Sequence, residues 1–232
     1  MVKKYKKDDT YSYALGGALV VELLKNKPDA ARCVYVSKKA SDGKAIELAE
    51  RLGVEIIESD KAFNILSPKE NCFVIGVFDK FEQKISGERH HVVLVNPSDC
   101  GNLGTIMREV AAFDCADLVI IRPAADPFDP KTVRASMGAI FNIGFKCYDS
   151  FDDYLSEFPG REVVPFMLCG SPFKNAEFSG SKKYSLTFGN EATGLPERFK
   201  KYGAVRIEQS DKVDSLNLSV AAAVALYKLY SS

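Results

Sequence analysis

The first stretch with residues able to do chemistry is a polar loop, residues 96–108, between a predicted strand and a predicted helix. Asn102 lies near the start of that helix, and Arg108 follows six residues later. Free N–H groups in a first helical turn bind anions, and a guanidinium can clamp a phosphate or a ribose oxygen. A plain helix cap at Asn102 and a solvated or ion-paired Arg108 explain the same residues, and from this loop alone we favour that simpler interpretation.

A second polar stretch follows the predicted strand Tyr184–Phe188. Gly189 permits backbone conformations that other residues resist and lets a ligand come close. Asn190, Glu191 and Gly194 complete the turn. Glu191 can accept a hydrogen bond from an amine or a hydroxyl, although an ordinary loop carboxylate fits the sequence equally well.

A third polar stretch, Ser215-Leu216-Asn217-Leu218-Ser219, leads into an apolar helix that ends at Tyr230. Ser215 is a suitable N-cap for this helix. Asn217 and Ser219 then fall in its first turn, where free N–H groups and polar side chains bind ligands. Leu216 offers an apolar surface for an adenine.

Strands and helices must bring these stretches together. From Val92 onward, short apolar runs alternate with helical patterns, which predicts an α/β fold with a mostly parallel sheet and helices on both faces. In such a sheet, ligands bind outside the carboxyl ends of the strands. We therefore predict a cofactor site where the loops after Tyr184–Phe188 and Ala204–Glu208 meet. The chain contains neither a G-x-G-x-x-G nor a P-loop motif, which disfavours dinucleotide and nucleoside triphosphate sites.

The chain divides into two predicted domains. Residues 1–82 form a small α/β unit with three strands and a helix over Ala14–Asn26, and no catalytic constellation is evident there. Residues 83–91 are polar and are predicted to be a linker, with His90 and His91 solvated and not catalytic. Residues 92–232 form the larger domain, in which one helix is predicted over Pro130–Phe141.

Composition narrows the class of protein. The 232 residues are 46% hydrophobic, enough for a substantial core. They carry 31 basic and 31 acidic side chains, so no overall basic charge indicates a nucleic-acid binder, although a local patch remains compatible with one. The scattered cysteines form no C-x-x-C pair, and we expect reduced, buried thiols in a cytoplasmic protein. No secretion signal or membrane span is predicted.

In this order, the motifs resemble those of the TrmH (SpoU) family in the SPOUT superfamily of RNA methyltransferases. The resemblance covers residues 92–230 and rests on 96–108, 188–195 and 207–221, together with the Arg-Ala-Ser-Met-Gly-Ala run at 134–139. Residues 11–80 are similar, more weakly, to the ribosomal-protein-like RNA-binding module that often precedes this domain.

The resemblance implies transfer of a methyl group from S-adenosylmethionine to a ribose 2′-hydroxyl of rRNA or tRNA, without a metal. It also implies a C-terminal trefoil knot and a homodimer whose interface helps to build the active site. RNA, rather than DNA or a membrane, is the expected partner. By position, the implied cofactor-binding residues are Gly189, Asn190, Gly194, Ile207, Leu216 and Ser219. The implied catalytic and substrate-orienting residues are Asn102, Arg108, Glu191, Ser215 and Asn217, with Arg108 foremost.

Two departures from the family pattern keep alternatives open. Glu109-Val110 and Phe113-Asp114 replace the usual Thr-Ala and Phe-Gly, and Asn71-Cys72-Phe73 replaces the usual His-Gln-Gly of the first module. One alternative is a catalytically inactive RNA-binding or ribosome-assembly factor on the same scaffold. The other is a SPOUT enzyme that methylates a base nitrogen.

Overall fold

The computed structural model describes residues 2–40, 43–67 and 71–232. The strands are β1 (Tyr11–Leu15), β2 (Ala31–Val36), β3 (Glu55–Glu58), β4 (Val74–Asp79), β5 (His90–Val95), β6 (Ala116–Ile121), β7 (Phe145–Tyr148), β8 (Glu162–Pro172), β9 (Tyr184–Phe188) and β10 (Val205–Arg206). The α-helices are α1 (Gly17–Asn26), α2 (Gly43–Leu52), α3 (Asp60–Leu66), α4 (Cys100–Phe113), α5 (Pro130–Ala135), α6 (Phe151–Glu157) and α7 (Leu218–Tyr230). Short 3₁₀ helices span Pro28–Ala30, Ala139–Phe141, Phe173–Asn175 and Glu197–Tyr202.

The chain forms two compact units, and neither is continuous in sequence. The first contains Met1–Glu82 and Asp126–Asn142, and the second contains Gln83–Ala125 and Ile143–Ser232. These limits differ from the predicted scheme of 1–82, 83–91 and 92–232. The run at 126–142, expected in the larger domain, lies in the first unit, and residues 83–91 lie within the second.

The first unit has a mixed sheet with strand order β1-β4-β2-β3 in the described residues. The predicted helix over Ala14–Asn26 is wrong at its start, because Tyr11–Leu15 pairs antiparallel with β4. Gly16, at φ 116°, then turns the chain into α1, a conformation that glycine adopts without a side-chain penalty. The sheet therefore has one strand more than the three predicted.

The predicted helix over Pro130–Phe141 is interrupted. α5 ends at Ala135, and Met137 and Gly138 have positive φ angles of 49° and 93° before the 3₁₀ helix Ala139–Phe141. A Cβ at Gly138 would lie 2.6 Å from Cβ of Glu22 in α1. Close packing against α1 therefore accompanies the break.

The second unit confirms the predicted parallel sheet. Its strand order is β10-β8-β9-β5-β6-β7 in the described residues, and each neighbouring pair is parallel. Val93 and Val119 are buried beside Phe151 and Phe199, which belong to α6 and to the 3₁₀ helix Glu197–Tyr202. Side chains alternate between the faces of a strand, and those pointing the other way, such as Leu94, are also fully buried. Both faces of the sheet are therefore covered.

The last helix packs on α4, and the two helices contact β9 and β6 respectively. α7 begins at Leu218 with Asn217 as its N-cap, since the Asn217 side chain accepts from the Ser219 amide. The predicted N-cap at Ser215 is therefore wrong. The trefoil knot implied by the resemblance stays a prediction. None of the helices in the described ranges is long and apolar enough to cross a bilayer.

The cysteines are free thiols, as predicted, but they are not uniformly buried. Cys72 is buried, Cys169 is exposed and the other four are half-buried. The expectation of buried thiols fails at Cys169, which lies in the distal part of the long strand β8. Cys169 lies among the lining residues of a cavity, so apolar neighbours in sequence do not ensure that a side chain is buried.

The prediction that His90 and His91 are solvated linker residues is wrong. Both belong to β5, and His91 is completely buried. His91 pairs in register with Asp117 of β6 and Ser185 of β9, so three polar residues form a buried row near the amino ends of these strands. This row lies at the edge of the sheet opposite the carboxyl ends.

Hydrogen bonds determine the protonation of His91. Its Nε2 lies 3.0 Å from the Ser86 carbonyl oxygen, which only accepts, so Nε2 carries the proton. Nδ1 therefore accepts from the Tyr154 hydroxyl at 2.9 Å, and that hydroxyl lies 2.6 Å from Ser185 Oγ. Burial, reinforced by the positive charge of Arg161, lowers the pKa of His91 from 6.5 to about 3. The folded protein therefore holds this imidazole neutral.

We predict that acidification destabilises the protein through His91. Between pH 6.5 and pH 3 the unfolded chain binds a proton at His91 that the folded chain excludes, so stability falls as the pH falls through this window. One such group contributes a slope of up to about 1.4 kcal/mol per pH unit. Urea unfolding from pH 7 to pH 4 should give a flatter pH dependence for His91→Gln, which retains an N–H donor but does not titrate. Equal slopes in the two proteins would contradict the prediction.

Candidate active site

A cavity of about 680 Å³ lies in the second unit, where the three polar stretches of the sequence converge. Nine of the eleven predicted site residues line it: Asn102, Gly189, Asn190, Glu191, Gly194, Ile207, Ser215, Leu216 and Asn217. Phe188 at the end of β9 and Arg206 at the end of β10 are also in the lining. The cavity therefore lies at the carboxyl ends of these strands, the position expected for a ligand in this fold.

Glu191 connects the second polar stretch to the first. Its Oε2 accepts from the amide and the hydroxyl of Ser98, at 3.0 and 2.8 Å. Its Oε1 accepts from the Asp99 amide at 3.2 Å and from Asn102 Nδ2 at 3.3 Å. Burial alone would raise the pKa of Glu191, but these donors outweigh it and lower the pKa below 4.5. Glu191 is thus an ionised carboxylate at neutral pH, engaged by these donors and by Asn190 Nδ2 at 3.4 Å, which suits a positioning role and not proton transfer.

Asn102 connects the first polar stretch to the third. Its side-chain oxygen accepts a 3.0 Å hydrogen bond from Asn217 Nδ2. The cap of α4 is Asp99, whose side chain accepts from the Asn102 amide at 2.7 Å. The simpler interpretation of Asn102 as the helix cap is therefore wrong, and its side chain instead bridges Glu191 and Asn217.

The turn after β9 is tightly packed. A Cβ on Gly189 would lie 2.1 Å from the carbonyl carbon of Gly194, so only glycine fits here. Asn190 closes the turn, since its carbonyl accepts from the Gly194 amide at 2.9 Å, and its Nδ2 donates to the Asn96 carbonyl at 2.9 Å. Gly194 has φ 67°. The two glycines allow the turn to fold beside the loop that leads into α4.

The walls of the cavity suit a cofactor with an apolar base and a charged tail. Leu195, Leu216 and Leu218 supply apolar surface, and the chain has no regular secondary structure directly after Arg206, where Ile207 lines the cavity. The lining also contains Lys200 and Arg206, which complement a carboxylate. No group of three or more His, Cys, Asp or Glu side chains able to hold a metal occurs in the part of the chain that the structure describes. These residues fit S-adenosylmethionine, whose adenine is apolar and whose amino-acid tail is charged.

Sequence reasoning missed one wall of the cavity. Phe166, Met167, Leu168 and Cys169 line it from β8. The sequence predicted a strand over Val163–Cys169 but could not show that it lies between the strands whose loops carry the motifs. None of these four residues belongs to a polar motif that would indicate a ligand site.

Two predicted site residues do not line the cavity. Ser219 is in the first turn of α7, and its hydroxyl donates to Asn217 Oδ1 at 2.7 Å. Arg108 is exposed on α4, and no hydrogen bond or ion pair joins it to any residue within the described ranges. Within one chain, the structure therefore brings the predicted cofactor residues together without this guanidinium.

The same residues carry a family signature. A family model described as the SpoU rRNA Methylase family matches residues 89–227, more than half of the chain. The chain belongs to the SpoU rRNA methylase family. The predicted family, the enzyme class of RNA 2′-O-methyltransferases and the cofactor class are thereby confirmed at the level of the family.

Individual relatives agree with this family assignment. The chain is 33% identical over 145 residues to a putative tRNA (cytidine(34)-2′-O)-methyltransferase of Listeria innocua, covering 60% of this chain and 85% of the relative. It is 25% identical over 240 residues to the 23S rRNA (guanosine(2553)-2′-O)-methyltransferase RlmP of Bacillus subtilis, covering 97% and 91%. The crystal structure of an AdoMet-bound rRNA methyltransferase from Sinorhizobium meliloti superposes with a TM-score of 0.81 at 26% identity, covering 96% of this chain and 87% of that one.

We predict that Gly189→Ala weakens cofactor binding strongly, because its Cβ would overlap the Gly194 backbone and displace the turn. Calorimetry with S-adenosylhomocysteine should show at least about a tenfold loss of affinity, or about 1.4 kcal/mol. Gly180→Ala is the matched control, since a Cβ there meets no atom within 4 Å. An unchanged affinity in Gly189→Ala would contradict this account of the turn.

Proposed function

We propose that this SpoU-family protein transfers the methyl group of S-adenosylmethionine to a ribose 2′-hydroxyl of rRNA or tRNA. The observation that carries the proposal is the cavity shared by three family motifs and connected through Glu191, Asn102 and Asn217. The names of the Listeria and Bacillus relatives, both 2′-O-methyltransferases, support the same chemistry. Bound S-adenosylmethionine supplies an electrophilic methyl group.

The protein's own contribution is mainly positioning. The leucines at 195, 216 and 218 give the cavity apolar surface, and the Gly189–Gly194 turn forms one of its edges. Glu191 and Asn217 hold the Asn102 side chain between them, so the start of α4 keeps a constant position relative to the cavity. Such alignment lowers the barrier of an in-line transfer by removing motions that the reactants would otherwise have to lose.

Arg108 is proposed to act on the RNA. A guanidinium only donates hydrogen bonds, so it is a poor base. It instead binds the phosphate next to the target ribose and stabilises negative charge developing on the attacking oxygen. The hydroxyl proton leaves to phosphate or water.

We predict that Arg108→Ala keeps the affinity for S-adenosylhomocysteine, because Arg108 does not line the cavity, but lowers methyl transfer to an unmodified RNA pool by about 100-fold or more. Arg108→Lys should recover only part of the rate, since an ammonium lacks the planar fork. Mass spectrometry of the digested wild-type product should place the methyl group on ribose, and a methylated base nitrogen would instead support the alternative SPOUT chemistry. Unchanged turnover in Arg108→Ala would remove Arg108 from this role.

A homodimer is proposed because α7 exposes an apolar stripe. Val220, Val224 and Tyr227, one helical turn apart, are 48%, 40% and 64% exposed, and Tyr230 is 64% exposed. The rings of Tyr227 and Tyr230 lie 6.2 and 5.9 Å from Phe113 of α4, measured between centroids. Exposed apolar surface of this kind typifies a protein interface.

The exposed face of α4 would bring Arg108 into the dimer interface. Gly101, Thr105, Arg108 and Ala112 recur at helical spacing and are exposed or half-buried. Small side chains on both sides of Arg108 would let a second copy approach closely. Arg108 would then complete the cavity of the partner in a two-fold dimer.

We predict that Val224→Glu yields a monomer by analytical ultracentrifugation and abolishes methyl transfer, while Leu52→Glu, an exposed apolar control on α2, changes neither. Heterodimers of Arg108→Ala with Gly189→Ala, purified through two different tags, test whether Arg108 acts across the interface. If it does, one of the two sites is intact and about half of the wild-type activity returns. An inactive heterodimer would show that each Arg108 serves its own chain.

Two further features belong to the proposal. The trefoil knot is supported by the strand order, in which β8 inserts between β9 and β10, and by the return of α7 onto α4. The first unit is proposed to bind the RNA, an assignment that rests on the resemblance of residues 11–80 to an RNA-binding module.

A further inference from the structure

Four charged side chains of the described residues line the cofactor cavity: Glu191, Glu197, Lys200 and Arg206. Three of them already have partners within the protein. The Glu191 carboxylate accepts from the loop entering α4, and Lys200 Nζ lies 2.6 Å from Glu197 Oε1. No hydrogen bond or ion pair joins Arg206 to any residue within 2–40, 43–67 and 71–232. Arg206 is therefore the one charged side chain of this described lining that is left to a ligand.

The position of Arg206 in the sheet leaves its side chain accessible. Arg206 is the last residue of β10, the strand at one end of the described sheet, and it pairs in register with Pro172 of β8. The preceding residue, Val205, is buried, and successive side chains of a strand point to opposite faces. Arg206 is accordingly exposed. Because its guanidinium is neither buried nor paired, it can bind a ligand in the cavity without breaking an existing contact.

The charges of S-adenosylmethionine indicate which of its groups Arg206 can bind. The molecule has two positive groups, the sulfonium and the α-ammonium, and one negative group, the α-carboxylate. A carboxylate that leaves water needs donors or a cation to replace its lost hydration. Of the two cations in the lining, Lys200 already has its charge balanced by Glu197. The planar fork of a guanidinium also matches the two oxygens of a carboxylate better than an ammonium does.

We propose that Arg206 binds the α-carboxylate of S-adenosylmethionine and makes the cavity selective for cofactors that carry this group. The inference rests on the proposed function only in taking S-adenosylmethionine as the ligand. An RNA phosphate is the other anion that an exposed guanidinium could bind. Arg206 lines the cavity, whereas Arg108, the residue proposed to contact RNA, does not, so the position of Arg206 favours the carboxylate. Arg206 acts here in cofactor binding and not in methyl transfer itself.

The test compares two ligands that differ only in the carboxylate, S-adenosylmethionine and decarboxylated S-adenosylmethionine, by calorimetry with the full chain. The wild type should bind S-adenosylmethionine about fivefold or more tightly than the decarboxylated compound, as expected for one charge-assisted contact at an exposed site. Arg206→Gln should reduce this preference to less than about twofold, and such a cycle isolates the contact between the two groups. The decarboxylated compound is a cation, so Arg206→Gln should bind it at least as well as the wild type does. That retained binding also shows that the variant is folded.

Two further variants serve as controls. Arg198→Gln makes the same change of charge at an exposed arginine of the 3₁₀ helix Glu197–Tyr202 that does not line the cavity. Its preference for S-adenosylmethionine should stay within about twofold of the wild type, because solvent screens a charge at that distance. Lys200→Gln removes the paired cation of the lining and should keep most of the preference.

The outcomes separate this inference from the proposed function. An unchanged preference in Arg206→Gln, or an equal loss in Arg198→Gln, would overturn the inference, since the carboxylate would then bind elsewhere or respond only to general charge. A preference lost in Lys200→Gln and kept in Arg206→Gln would assign the carboxylate to Lys200 instead. A wild type that binds both compounds equally contradicts only the inference. A wild type that binds neither contradicts the proposed function and, with it, the inference.

Discussion

The hydrogen bonds of Glu191 are the interaction on which the active-site arrangement depends. Two backbone amides, a hydroxyl and the Asn102 side chain converge on this one carboxylate. A half-buried carboxylate stays ionised only when donors compensate for lost water, and these donors come from the loop entering α4. Because this charge must be satisfied, the turn after β9 lies against the loop entering α4, which is about ninety residues away in the sequence. Asn217 connects the third polar stretch to the same hydrogen bonds through Asn102.

The two ends of the strands in the parallel sheet have different roles, one in stability and the other in ligand binding. At the amino ends of its strands, His91, Ser185 and Tyr154 form a buried polar chain, and Arg161 adds hydrogen bonds to carbonyls of the polar segment before β5. At the carboxyl ends, loops without partners in the sheet supply the polar groups that a ligand can use. Buried polar groups whose hydrogen bonds are all made rigidify a fold. The amino ends of the strands are therefore a rigid support for the carboxyl ends, where ligands bind.

Net neutrality of the chain conceals local differences in charge. Several exposed cations pair with nearby acidic side chains, such as Lys200 with Glu197 and Lys182 with Glu162. Arg108 has no such partner among the described residues. Recognition of a polyanion depends on such local surfaces and not on the total charge, so an RNA methyltransferase is compatible with equal numbers of acidic and basic residues.

The sequence by itself determined the parallel α/β domain and nearly all of the cavity, because alternating apolar runs and polar turns after strands are local patterns. Gly189, Asn190, Leu216 and Asn217 were found in this way. Only the tertiary structure showed that β8 forms a wall, that His91 is buried and that residues 126–142 join the first unit. Strand order and layer contacts depend on residues far apart in the chain, and local propensity carries no information about them. The roles of Glu191 as a positioning residue and of Asn217 as the cap of α7 likewise emerged from distances that no spacing in the sequence could supply.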